Sequence, residues 1–212
     1  CEAAGNGYQN LDGGEYLGLF DRQVRDSGAI MCGATAGSEL YAADFSNHGA
    51  RVDLNGWGWY VTTSGYGDLQ SGTEQEYYTE QFSGTSSASP IVTGSVASLQ
   101  GMVRQLHGFD LDARLARDIL RQTGTVMSSG HLIGTRPNLS AAYTLAAAAI
   151  GEVSGTVTDL ANGTPQTGVL VQVAGGGSFT VTDEIGHWRL PLQDGPVTLD
   201  FSSFYYRLAE RT

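Results

Sequence analysis

Long hydrophobic runs, cysteines and basic residues are all scarce in this chain, and each shortage closes off a class of function. No stretch approaches the roughly 18 consecutive apolar residues of a membrane span, Ala146 to Ile150 being the tail of a short helix. Two cysteines, Cys1 and Cys32, are too few for a disulfide scaffold or a zinc knuckle. Both sit in short apolar runs, so buried thiols are expected, with a bridge between them as the alternative in an oxidising compartment. Eleven basic residues against 22 acidic ones leave a net charge of -11. That balance argues against binding nucleic acid through its phosphates and fits a protein working among extracellular solutes. Five prolines beside 30 glycines indicate many tight turns, not a collagen-like or Pro-rich linker. The chain opens at Cys1 with neither an initiator methionine nor a signal peptide, and so reads as the continuation of something longer.

What is present is length enough, at 212 residues, to bury a core in one or two domains. Cys1 to Ala4 is a small apolar run that breaks at the turn signal Gly5-Asn6-Gly7, and Gly28 to Gly33 is a short continuous apolar run, as expected of a strand covered on both faces in a parallel sheet. Val52 to Leu54, Tyr60 to Thr63 and Tyr77 to Phe82 read as further strands. A small-residue helix from Ile91 to Leu106 carries Ala88, Val92, Val96, Leu99 and Val103 at three-to-four-residue intervals and is expected to be central and buried. A second helix starts at Asp112 and stops at Gly124, and a third runs from Leu139 to Ile150. Strands alternating with helices give an α/β layer architecture over residues 1–150.

After Gly151 the texture changes. Val153 to Thr158, Val169 to Val173, Phe179 to Thr182, Trp188 to Leu192 and Val197 to Phe201 are short strands at about ten-residue spacing, with turns at Asn162-Gly163, Gly175 to Gly177 and Asp194-Gly195. The pattern predicts a second, smaller all-β sandwich over residues 151–212. Through Gly155-Thr156-Val157, Gly168-Val169 and Thr182-Asp183-Glu184-x-Gly186-x-x-x-Leu190, it resembles the carboxypeptidase regulatory-like (transthyretin-like) domains, and it stops about one strand short of them.

The sharpest motif is Gly84-Thr85-Ser86-Ser87-Ala88-Ser89-Pro90, running straight into the small-residue helix. Ser and Thr at such a place ordinarily cap the helix. A helix N-terminus also offers free N–H groups and a partial positive charge, which suit a serine nucleophile. Pro90 fits a first helical turn, where its missing N–H costs nothing. The string, extended through Val92 and Gly94, resembles the serine motif of the subtilisin-like serine proteases, Gly-Thr-Ser-x-Ala-x-Pro, whose first serine is the nucleophile. Ala88 rules out the esterase elbow Gly-x-Ser-x-Gly. In that family an asparagine in an Ala-Ala-Gly-Asn segment donates to the oxyanion, and this chain has Ala3-Ala4-Gly5-Asn6. Ser27 to Ala34 and Phe45-Ser46-Asn47-x-Gly49 also look like the family.

The resemblance implies an N-terminally truncated, three-layer, parallel-sheet domain. Its catalytic residues would be Ser86 and Asn6, with Ala3, Ala4, Gly5 and Thr85 binding substrate, and small residues lining a specificity pocket. The chain departs from many members at Ser87, where they carry methionine, and at Asn55-Gly56-Trp57-Gly58, where they carry Ala-Pro-Gly. Trp57, Trp59, Tyr60 and Tyr66 read as packing residues that a cleft could also use.

A serine nucleophile needs a histidine base and an orienting carboxylate. The family carries both before the Ala-Ala-Gly-Asn segment, so they would lie upstream of Cys1. His48, His107, His131 and His187 each read as structural. The expectation is therefore a secreted serine endopeptidase acting on polypeptides, present as a piece truncated at both ends and inactive alone. The alternative is a non-catalytic binding or adhesion protein that keeps the fold. The chemistry requires no cofactor. Structural calcium is compatible with the loop carboxylates Asp12, Asp44, Asp53 and Asp68, but no ordered ligand loop is visible and no metal residue is assigned. Oligomeric state is not legible.

Overall fold

Met31–Ala36 forms β2, the central strand of a four-stranded sheet in the computed structural model, which describes residues 1–36, 41–128 and 130–203, and 206–211 by their backbone. It pairs in parallel with β1 (Glu2–Ala3) and β4 (Leu54–Trp57) and antiparallel with the two-residue β3 (Tyr41–Ala42). Cys32 faces both Ala3 and Leu54, so β1 and β4 take opposite edges of β2. Thr35 faces both Ala42 and Trp57, which puts β3 on the edge that β1 uses.

Met31 to Thr35 are all buried, as in a strand covered on both faces, but the strand begins three residues later than the run Gly28 to Gly33 suggests and continues beyond it to Ala36. On one face Met31 joins Ala4, Leu11, Val52 and Ile133. A Cβ on Gly33 would come within 2.7 Å of Ile133 there. On the other face Ala34 packs with Ala43 and Ala88, and the buried Cys32 thiol meets the hydroxyl of Ser89. The thiols do not pair. Cys32 is buried but Cys1 is exposed, contrary to expectation, because it precedes a two-residue strand, β1, that is itself exposed at Glu2 and Ala3.

β4 starts later than the expected Val52 because Val52 closes a turn, its N–H donating to the Gly49 carbonyl. β5 (Val61–Ser64) likewise starts one residue late, since Tyr60 has a φ of 51° that no strand accommodates. β5 pairs antiparallel with β6 (Tyr78–Phe82). α1 spans Thr85–His107, six residues earlier than expected, so Pro90 lies in its second turn and not its first. The expectation of a wholly buried helix also fails. Ala88, Val92, Leu99 and Val103 are buried, whereas Ile91, Thr93, Gly94, Ala97, Ser98 and Gly101 are exposed. α2 (Ala113–Thr123) starts where Asp112 accepts the Arg114 and Leu115 N–H groups, and buries Leu115, Ala116, Ile119 and Leu120. α3 (Leu139–Ala149) is capped by Asn138 and ends one residue before the expected Ile150, which opens β7.

The chain divides into two units, each discontinuous: Cys1–Leu99 with Arg117–Ala142, and Gln100–Ala116 with Tyr143–Thr212. The sheet just described lies in the first. In the second, β7 (Ile150–Thr156) pairs antiparallel with β10 (His187–Gln193), and β8 (Leu170–Val173), β9 (Phe179–Val181), β11 (Leu199–Ser203) and β12 (Tyr206–Arg211) form an antiparallel sheet in the order β12-β11-β8-β9. Trp188 and Leu190 of β10 share one core with Val171 of β8 and Leu199 of β11. The indole lies where Gly155 has no side chain. This unit is not all-β: it contains the helical segment Gln100–Ala116, whose Arg114 donates to the Gly177 carbonyl at 2.8 Å and covers the Phe179 ring at 5.4 Å.

Candidate active site

In an open parallel sheet, ligands meet the carboxyl ends of the strands. Here β1 runs into Ala4-Gly5-Asn6, β4 ends at Trp57, and α1 begins beside both. The strand backbone at Gly56 lies so close to the first turn of α1 that a Cβ there would stand 2.7 Å from the Ala88 carbonyl. Gly84 turns the chain into the helix with a φ of +112°, and its N–H donates to the Gly58 carbonyl at 2.8 Å.

Thr85 then ties the two predicted halves of the site together. Its N–H and its hydroxyl both donate to Asn6 Oδ1 at 2.9 Å, while its Oγ1 accepts the Gly5 N–H at 3.1 Å. Two donors converging on one oxygen fix the orientation of the Asn6 amide. Its Nδ2 is thereby turned the other way, on an exposed residue beside Gly84. Ser86 follows, exposed in the first turn. Among the described residues neither its hydroxyl nor its N–H has a hydrogen-bond partner. Pro90 supplies no N–H to the Ser86 carbonyl four residues back, so that carbonyl lacks its helical partner too. Ser87 is buried, its hydroxyl 3.0 Å from the Gly84 carbonyl and 3.4 Å from that of Trp57. At this position the chain thus has an internal polar fastening. A free N–H and an amide donor at the positive end of a helix can stabilise negative charge that develops beside a free hydroxyl.

The predicted substrate-binding residues lie around this point with different exposures. Ala3 is exposed and Gly5 half-buried, whereas Ala4 belongs to the core, its N–H donating to the Cys32 carbonyl at 2.9 Å and its carbonyl accepting from Asn47 Nδ2 at 2.8 Å. Thr85 is fully buried, its polar groups spent on Gly5 and Asn6. Aromatic rings gather nearby. Trp59 stacks on Phe45 at 5.2 Å, and Trp57, 45 % exposed, donates its indole N–H to the Trp59 carbonyl. The Tyr60 N–H donates to the Ser83 hydroxyl. One residue entered the sequence reading only within the family-like string Phe45-Ser46-Asn47-x-Gly49: Asn47, whose side chain bonds to three residues of the Ala4-to-Gln9 segment.

Among the described residues no hydrogen bond joins Ser86 to a histidine. The His48 and His131 rings lie 4.4 Å apart and tilted by 34°, with the Tyr8 hydroxyl 2.5 Å from His131 Nε2. His107 meets the Ala146 carbonyl, and His187 opens β10. The loop carboxylates have separate duties. Asp53, fully buried, is held by Arg22, Arg51 and the Met31 N–H, with Arg121 at 3.7 Å. Asp12 accepts the Ala50 N–H and Asp68 that of Glu80. Among the described residues no three His, Cys, Asp or Glu side chains converge as a metal site, and no helix is long and apolar enough to cross a membrane. The Cys32 thiol is pushed up to about 11 by burial, which makes it inert. Among the described residues, one cavity of about 450 Å³ is bordered by Arg22, Asp53, Arg121 and His131, and one of about 360 Å³ in the second unit is bordered by Val157, Leu160, Val169 and Phe201.

No curated protein sequence matches the chain. Among solved structures it is similar to fervidolysin from Fervidobacterium pennivorans, a keratinolytic enzyme related to subtilisin, at 22 % identity and a TM-score of 0.47 over 82 % of this chain and 28 % of that one. It is also similar to a protease of Pseudoalteromonas arctica, at 21 % identity and a TM-score of 0.49 over 68 % of this chain and 41 % of that one. A lanthipeptide protease matches at 21 % and 0.49, over 67 % of this chain and 49 % of that one. The chain therefore spans less than half the length of each. Residues 2–135 match the model of the Subtilase family (Peptidase_S8), and the chain belongs to that family of serine peptidases.

Proposed function

We propose that the chain carries the nucleophile and the oxyanion site of a secreted serine endopeptidase that cleaves polypeptides. The Ser86 Oγ attacks the scissile carbonyl carbon as its proton passes to a histidine base, and the oxyanion rests on the Ser86 N–H and Asn6 Nδ2. The base returns that proton to the leaving amine as the C–N bond breaks, and water then releases the acyl group from Ser86. The observation that supports this reading is the double donation from Thr85 to Asn6 Oδ1, which leaves the Nδ2 end of the amide beside Gly84, two residues before Ser86. Since none of the four histidines is paired with Ser86, the base and its aspartate come from chain beyond these 212 residues. Ala3, Ala4 and Gly5 form one wall of the substrate site. Residues 151–212 serve as an accessory module of the carboxypeptidase regulatory-like type. The test is labelling with a fluorophosphonate probe. The expected result is labelling of the full-length protein, loss of it on Ser86→Ala, and none in the isolated 212 residues. Labelling of the isolated chain would refute the missing base; a full-length protein that never labels would make this a binding protein that keeps the fold.

A further inference from the structure

The geometry points to Asn47 as the positioning residue that holds the Asn6 loop in place, an inference that rests on the oxyanion role proposed for Asn6. Asn47 spends its polar groups on both sides of Asn6. Its Nδ2 donates to the Ala4 carbonyl at 2.8 Å, and its own N–H to the Gly5 carbonyl at 2.9 Å. Its Oδ1 accepts the N–H groups of Gly7 at 3.1 Å and Gln9 at 2.8 Å. Four bonds thus bracket Asn6, two to the residues before it and two to residues after it. The loop wraps the amide closely. Gly5 adopts a φ of +97°, and a Cβ on it would stand 2.6 Å from Asn47 Nδ2. Beyond Asn6 the chain turns through Tyr8 at a φ of 56°, with the Tyr8 N–H on the Phe45 carbonyl and the His48 N–H on the Gln9 carbonyl.

Asn47 is itself anchored. The Ser46 hydroxyl donates to the Asn47 carbonyl at 3.0 Å and accepts the Ala34 N–H of β2 at 3.1 Å. A line of hydrogen bonds therefore runs from the buried central strand through Ser46 and Asn47 to the loop that carries the oxyanion donor. Asn6 is exposed, and among the described residues its side chain is fastened at Oδ1 alone. An oxyanion donor works because it is already in place when charge develops, and a misplacement of about 1 Å can cost about 100-fold in rate. Asn47 supplies that placement without touching a reacting atom.

The test uses the full-length protein. Asn47→Ala is expected to lower kcat about 10- to 100-fold with KM changed less than about threefold. Combined with Asn6→Ala, it should lower kcat no further than Asn6→Ala alone, because both act through one donor. Hydrogen exchange at the Gly7 and Gln9 amides should quicken at least about tenfold. Should Asn47→Ala fail to fold, Asn47→Asp keeps the acceptor for Gly7 and Gln9 but loses the donor to Ala4, and kcat should fall between wild type and Asn6→Ala. Wild-type kcat in the folded variants, or losses that multiply in the double variant, would overturn the assignment. Unchanged exchange at Gly7 and Gln9 would overturn the clamp itself. A harmless Asn6→Ala would instead sink the oxyanion reading while the exchange result still judged the clamp.

Discussion

Thr85 is a small residue on which two larger arguments hang. Its hydroxyl accepts from Gly5 and donates to Asn6, so one side chain aligns the β1 exit with the start of α1. Thr85→Val, which keeps the shape and removes both bonds, should reduce kcat of the full-length enzyme by about tenfold, the range of a lost hydrogen bond of about 1 to 1.5 kcal/mol. Thr85→Ser should keep most of it, and equal kcat for the two variants would separate Thr85 from Asn6. Asn6→Ala removes the donor outright, with an expected loss of about 100- to 1,000-fold in kcat. Asp53 sets stability instead. All eleven basic residues are arginines, and Arg22 and Arg51 converge on this one buried carboxylate. Burial lowers the Arg22 pKa, Asp53 opposes that, and neighbouring guanidiniums add to it. Asp53→Asn leaves those cations unneutralised, which should destabilise the fold by about 3 to 5 kcal/mol in urea denaturation. A loss under about 1 kcal/mol would mean that the cluster is relaxed by water.

Among the elements, the β5–β6 hairpin carries a pH dependence whose sign is set by two exposed carboxylates. Asp68 is held below the usual carboxylate range by the Thr79 hydroxyl and then by the Glu80 N–H. Glu76 is held below it by the N–H and hydroxyl of Thr73. A depressed folded-state pKa contributes stability above the ordinary value of about 4 and loses it as pH falls through the lower one. The Thr73 and Glu80 amide resonances should therefore titrate with midpoints below about 4; midpoints at or above that would mean the contacts do not form in solution. The helices were legible because three-to-four-residue apolar spacing and capping residues such as Asp112 act locally. β4 and β5 slipped because Val52 and Tyr60 look like strand residues, while the turn hydrogen bond of one and the left-handed backbone of the other arise only on folding. Ser86 and Asn6 were legible as motifs. Asn47 was not, since its partners lie about 40 residues away and nothing in Phe-Ser-Asn announces them.

At the scale of the whole chain, the two cysteines give a measure of how firmly the first unit is closed. The change of texture after Gly151 was visible, but the joining of Gln100–Ala116 to that later segment was not, because association across such a distance leaves no local pattern. Cys1 is exposed and free, and Cys32 lies buried in β2, one residue from the Met31 N–H that bonds to Asp53. With its thiol pushed up to about 11, Cys32 holds about 0.1 % thiolate at pH 8, against about a quarter for an ordinary thiol. Burial blocks the reagent as well. A thiol-reactive disulfide should therefore modify one cysteine per native chain within minutes and the second only as the unit opens, with both reacting at once in denaturant. The rate at Cys32 then reports the opening equilibrium. Asp53→Asn should raise that rate in proportion to the stability it removes, about 100-fold or more for 3 kcal/mol, and leave Cys1 unchanged. If both cysteines reacted equally fast in the native chain, β2 could not be the sealed centre of the sheet, and the support it lends to Ser46, Asn47 and the Asn6 loop would fail with it.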